Sequence, residues 1–169
     1  MSDHPMLLKF AQELADPNNR LLDVTLKCHL VLEQALNNAL NAYFPNPLPL
    51  DDLRLQAHQK LLLLLSILPS AKKDRLVAFF AELNALRNKL AHSLEHDKIQ
   101  ENLKRLAEVY QREYSQQLPE SERELPSDPL AQIQLMAVHA LGDACGLETE
   151  LKTIRKEWDE FKVWKETRK

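Results

Sequence analysis

Residues 76–96 read LVAFFAELNALRNKLAHSLEH, and their apolar positions recur at helical rather than strand spacing. On a wheel turning about 100° per residue, Leu76, Phe79, Phe80, Leu83, Leu86, Leu90 and Leu94 fall within roughly 120°. Such a stripe is the buried face of an amphipathic helix. Arg87 falls inside it, between Leu83 and Leu90. A guanidinium in that position must pair with a carboxylate or open into a polar cleft, because an isolated buried charge is costly.

The same periodicity continues on both sides. Upstream, Val24, Cys28, Val31, Leu32, Ala35, Leu36, Ala39 and Tyr43 define one face of a helix over about 21–44. A shorter helix over about 5–15 precedes it and stops at Asp16-Pro17-Asn18-Asn19. Pro45, Pro47 and Pro49 make an extended connection, after which Asp51 or Asp52 caps a third helix reaching about Leu68. Its Leu61–Leu65 run is apolar on every side, which predicts a central position. The helix carrying Arg87 spans about 72–95, and Asp97 with Gln100 forms a capping box for the next, to about Gln117.

Residues 118–127, LPESERELPS, read as a linker. Asp128-Pro129 is an N-cap followed by proline at the first helical position. Gly146 reads as the C-terminal stop of that sixth helix. A seventh carries Leu147, Leu151, Ile154, Trp158 and Phe161 in alternating steps of four and three. The resulting expectation is an all-α, up-and-down helical bundle over residues 1–117. Residues 118–169 then supply the linker and an appended C-terminal helical hairpin, packed on the bundle or on a partner subunit.

Composition narrows the function classes. The 169 residues include only two glycines, Gly142 and Gly146. No GxGxxG, GxxxxGK[ST] or GxSxG is present, which excludes the usual Rossmann, P-loop and nucleophile-elbow motifs. Hairpin turns needing positive φ would be hard to build, which argues against a β-rich fold. The net charge of −3 provides no global field for nucleic acid, although a local basic patch remains open. Cys28 and Cys145 form no CxxC, and Cys28 on an apolar stripe reads as a core residue. No cofactor and no metal are expected. The N-terminus lacks a signal-peptide pattern and no apolar run spans a bilayer, so the expected compartment is the cytoplasm, with no membrane partner.

Around Arg87 two readings stand open. In one, Arg87 is structural, its stem on Leu83 and Leu90 and its head bonded to Glu33 or Glu82, and His92 is an ordinary exposed residue. In the other, Arg87, Asn88 and His92 form a site. Asn88 and His92 are i, i+4 neighbours, whereas Arg87 and His92 lie about 140° apart on an ideal helix. They converge best across two antiparallel copies of the helix, or if the helix bends. His92 and His96 have a metal-pair spacing without an evident third ligand. His29, His58 and His139 stand isolated. Trp158, Phe161 and Trp164 read as packing residues more than as a base-stacking platform.

Arg87-Asn88-Lys89-Leu90-Ala91-His92 resembles the R-x(4–6)-H motif of HEPN (higher eukaryotes and prokaryotes nucleotide-binding) domains, including the polar residue after the arginine. The resemblance covers roughly residues 20–117, with a glutamate, Glu33, in the preceding long helix. It implies a four- to five-helix bundle that forms a homodimer, with both motifs in one groove. Many HEPN domains are metal-independent endoribonucleases in toxin–antitoxin and phage-defence systems. Others bind RNA, nucleotides or proteins without cleaving.

Carried over, the resemblance makes Arg87, His92, Asn88 and Glu33 the candidate catalytic set. RNA is then the substrate, and an antitoxin or regulatory protein is the partner. The side chains suit that chemistry. Histidine supplies a proton carrier near neutral pH, and arginine a fork for phosphorane oxygens. Asn88 would orient the imidazole or the phosphate, and Glu33 would hold Arg87. Lys72, Lys73, Arg75 and Lys89 would touch the RNA backbone. The chain departs from the R-x(4–6)-H-x-Y extension of some HEPN toxins, since Leu94 stands at the tyrosine position. More distantly it is similar to the mannitol-operon repressor family, which offers a non-catalytic alternative.

Overall fold

The computed structural model describes residues 21–44, 54–68, 73–92, 96–120 and 123–167. Among them every regular element is helical: α1 (Leu21–Tyr43), α2 (Ala57–Ile67), α3 (Lys73–His92), α4 (His96–Glu113), a 3₁₀ turn (Ser115–Gln117) and α5 (Pro129–Glu166). This is the all-α bundle that the apolar spacing predicts. The expected helix over 5–15, the Pro45–Pro49 connection and the Asp51 or Asp52 cap lie outside the described residues.

α1 buries the face anticipated for it: Val24, Cys28, Leu32, Ala35, Leu36 and Ala39 are all within 1 % of complete burial. Thr25 stays inside because its hydroxyl donates to the Leu21 carbonyl at 2.8 Å. α1 packs chiefly on α5, which supplies Ile133, Met136, Ala137, Ala140, Leu141, Ala144, Leu147 and Leu151 to the same core. Alanines on both sides of this seam, at 35 and 39 and at 137, 140 and 144, bring the two backbones close. Each leucine buried there contributes about 1.5–3 kcal/mol before its ordering entropy is charged. Arg155 donates to the Tyr43 carbonyl at 2.8 Å, closing the C-terminal end of α1. Because α5 is exposed beyond that point, α1 lies beside its earlier part and runs parallel with it.

The C-terminal hairpin is corrected. α5 is one helix of 38 residues, roughly 57 Å long, and runs straight through Gly146. A glycine stop needs left-handed backbone, and no described glycine has positive φ. The apolar face also crosses Gly146 without a gap, from Ala140 and Ala144 to Leu147 and Leu151, so continued helix buries more than a turn would. Asp128 caps the start as expected, accepting from the Ala131 amide at 2.9 Å, with Pro129 next.

Among the described residues α2 begins at Ala57, with Gln56 as its N-cap. Arg54, just ahead of it, has φ of 47°, and the Gln59 side chain accepts from the Gln56 amide at 2.9 Å to start α2 there. Its leucine run is sided rather than surrounded: Leu61, Leu64 and Leu65 are buried, and Leu62 is exposed. The linker is held by hydrogen bonds from Arg123 to the Leu118 carbonyl and from Gln111 to the Arg123 carbonyl. Leu118 and Leu125 pack on the core.

One charged pair crosses the interior. Arg75 of α3 donates two hydrogen bonds to Asp143 of α5, with side chains only 11 % and 14 % exposed. The Arg75 guanidinium also lies 5.2 Å from the Tyr114 ring centre. Tyr114 stacks on Tyr110, which in turn stacks on and hydrogen-bonds His139. His139 is therefore structural. Removing one partner of such a pair leaves the other charge buried alone, so Asp143→Ala should lower stability by about 3–5 kcal/mol in urea unfolding. Gly142 is exposed, and a Cβ there meets nothing within 4 Å. Gly142→Ala should therefore raise stability by about 0.5–1 kcal/mol in the same measurement.

Candidate functional site

Arg87 sits on α3 with Leu83 and Leu86 fully buried beside it, and Leu90 half-buried one turn on. Its guanidinium donates to Asn84 Oδ1, one turn back, at 2.9 Å. Its Nε is buried and has no hydrogen-bond partner. Among the described residues no carboxylate bonds Arg87. Glu33 is taken by Lys60 of α2, whose Nζ lies 2.8 Å from the Glu33 carboxylate. The expected Glu33–Arg87 pair is thus replaced by a Glu33–Lys60 pair. The physical reason is that Glu33 stands where α1 faces α2, within reach of a lysine that needs a partner.

The charges on Arg87 and Glu33 nevertheless meet at a third residue, His29. Burial, first, and then the positive charge of Arg87 pull the His29 imidazole below its ordinary value of 6.5, while Glu33 opposes them. The ring packs edge-on against Phe80, with centroids 5.9 Å apart. His29 escaped the sequence reading because it stands alone in its segment. Its signal was the i, i+4 spacing to Glu33, which places both on one face of α1.

Asn88 and His92 occupy the exposed side of α3. α3 runs unbroken from Lys73 to His92, so helical geometry sends Arg87 inward and His92 outward. Arg87, His29 and Glu33 therefore gather at α1 and α3, with Asn84 beside the arginine, while Asn88 and His92 lie at the open end of α3. Leu94 falls outside the described residues.

The other candidates sort by burial. Arg75 is consumed by Asp143, which removes it from the expected RNA-contacting cations. Lys89 is partly buried, and Lys72 and the Lys73 side chain lie outside the described set. Burial raises the Cys28 thiol to about 12 and, with Glu148 adding, the Cys145 thiol to about 11, so neither is a nucleophile at neutral pH. Among the described residues no group of three or more His, Cys, Asp or Glu side chains gathers as a metal set. Trp158, Phe161 and Trp164 do not fold back on a preceding helix, because α5 is continuous. They stand about half exposed, with Phe161 stacked on Trp164 at 5.8 Å.

A half-buried guanidinium with a neutral hydrogen-bond partner keeps its charge available to an anion. A neighbouring imidazole held neutral can accept a proton. Compared with protein-family models, curated proteins and solved structures, the chain matches none. No described helix is long and apolar enough to cross a membrane.

The electrostatic triangle has a direct readout. In an NMR titration His29 should protonate below 6.5, Arg87→Gln should raise its midpoint, and Glu33→Gln should lower it further. Since the folded value lies below the unfolded one, the stabilising contribution of neutral His29 is complete above about 6.5 and is lost as pH falls through the folded value.

Proposed function

We propose that this chain is a HEPN-like metal-independent endoribonuclease, acting on RNA in a groove between two copies, of the kind used in toxin–antitoxin or phage-defence systems. The observation that carries this reading is the state of Arg87: half-buried, with Asn84 and no carboxylate as its hydrogen-bond partner among the described residues. A purely structural arginine at that depth would be neutralised by a carboxylate.

In the reaction the 2′-oxygen of a ribose attacks the adjacent phosphorus while the bond from phosphorus to the 5′-oxygen breaks. The 2′-hydroxyl proton goes to a basic nitrogen, and a proton is delivered to the departing 5′-oxygen. The products are a 2′,3′-cyclic phosphate and a 5′-hydroxyl. Arg87 holds the charge that accumulates on the phosphorane oxygens. His92 moves a proton, and Asn88, one turn before it, orients the imidazole or the phosphate. Glu33 acts at a distance, through the field it shares with Arg87 at His29. Arg87 and His92 face differently on one helix, so a complete site takes Arg87 from one copy and His92 from the other.

That same divergence favours a second reading, a non-catalytic HEPN-like regulatory or interaction protein in which Arg87 binds an anion without cleaving. Incubation with RNA in EDTA separates the two. The ribonuclease reading expects cleavage by the wild type, reduced by on the order of 10²-fold or more in Arg87→Ala and in His92→Ala. RNA binding without cleavage, lost in Arg87→Ala, supports the second reading. Cleavage that persists undiminished in both variants overturns the assignment of the site.

A further inference from the structure

The last part of α5 carries an aromatic stripe that its own bundle leaves uncovered. The face that buries Leu147 and Leu151 against the core continues past the end of α1 as Ile154, Trp158 and Phe161, with Trp164 on its flank. Trp158, Phe161 and Trp164 are 53 %, 50 % and 48 % exposed. They contact one another in sequence order, Trp158 edge-on to Phe161 and Phe161 stacked on Trp164. Isolated exposed apolar residues are ordinary; a contiguous aromatic ladder on a projecting helix is an association surface.

We infer that this stripe pairs with the same stripe of a second copy, the two tails lying antiparallel. Charge is the first argument. Around Phe161 the acids come first, at Glu157, Asp159 and Glu160, and the bases after, at Lys162 and Lys165, while Arg155 and Lys156 precede this stretch and Glu166 follows it. Antiparallel pairing about Phe161 sets Glu157 opposite Lys165, Glu160 opposite Lys162 and Lys156 opposite Glu166, whereas parallel pairing sets like against like. The local ion pairs Lys156–Glu160 and Lys162–Asp159 are solvent-exposed and hold these charges only loosely, whereas Arg155, which pairs with Asp159, is partly buried against the end of α1.

Topology is the second argument. α1 occupies the space beside α5 up to Arg155, where that side chain binds the Tyr43 carbonyl. A parallel partner would bring its own bundle into the place of α1. An antiparallel partner lies along α5 beyond Arg155, where no described residue of α1 stands beside it.

Size sets the strength. Three half-exposed rings offer on the order of 300 Å² per chain, which makes a contact smaller than a standard interface and dependent on concentration. This pairing is independent of the ribonuclease reading, and none of its residues belongs to the Arg87 site.

Trp158 and Trp164 are the only tryptophans in the chain, so tryptophan emission reports on this stripe alone. Pairing through the Arg87 groove does not enter the readout. On dilution of the full chain from about 300 µM to about 1 µM, wild-type emission should shift to the red as the tails separate. Phe161→Asp should show the red-shifted emission throughout, with helical circular dichroism unchanged because the position is exposed. Glu157→Lys and Lys165→Glu should each move the transition about tenfold higher in concentration, and the double exchange should restore it. Emission that is red-shifted at every concentration means that no second copy covers the stripe and overturns the proposal. Emission that is blue-shifted at every concentration means that the chain covers its own stripe, which overturns the proposal equally. Failure of the double exchange to recover overturns the antiparallel arrangement.

Discussion

The parallel seam between α1 and α5 is the constraint on which the rest of the molecule depends. Small side chains on both helices bring the backbones together, and the leucines around them are buried with them in one core. Once these two helices are aligned, the remaining elements have few choices. α3 must place Arg75 against Asp143 on the flank of α5, and α4 must deliver Tyr110 to His139 about one turn earlier. The ion pair is not itself the main source of stability, since a well-packed apolar pair of equal volume would do as well. It fixes how α3 sits on α5, because a bidentate pair tolerates little displacement before both charges are stranded.

That register decides the electrostatics around Arg87. With α3 held, Arg87 faces α1 at the level of His29, and Glu33 is left to Lys60. Among the described residues one carboxylate is thus neutralised by one lysine, and one guanidinium is bonded to an amide oxygen. Such an imbalance in a half-buried place is unfavourable for folding alone, and it is where an anion would gain most.

Much of this was legible from apolar spacing. The stripe on α1 and the stripe through Leu76, Phe79, Phe80, Leu83 and Leu86 are buried as read, because one-sided burial leaves a periodic mark. Arg87 was legible as an outlier for the same reason. Partner choice was not: Glu33 and Glu82 were the partners read for Arg87, whereas Glu33 pairs with Lys60 and Arg87 bonds Asn84 on its own helix. Gly146 misled because glycine permits a helix stop without requiring one, and the buried face beyond it outweighed the local preference. Arg75 misled in the opposite way. A basic residue near a candidate site looks like a phosphate contact, yet its partner Asp143 is 68 residues distant and visible only in the fold.

The placement of the two cysteines has a consequence for how the molecule opens. Cys28 lies on α1 and Cys145 on α5, both buried, on opposite sides of the seam that organises the core. A thiol reagent can reach Cys28 only when α1 lifts away, while fraying of the far end of α5 leaves it covered. Alkylation rates at the two sulfurs therefore divide the opening of this protein into its parts. Equal rates would mark a bundle that unzips as one cooperative unit, and a faster Cys145 would mark a helix that peels from its exposed C-terminal turns inward.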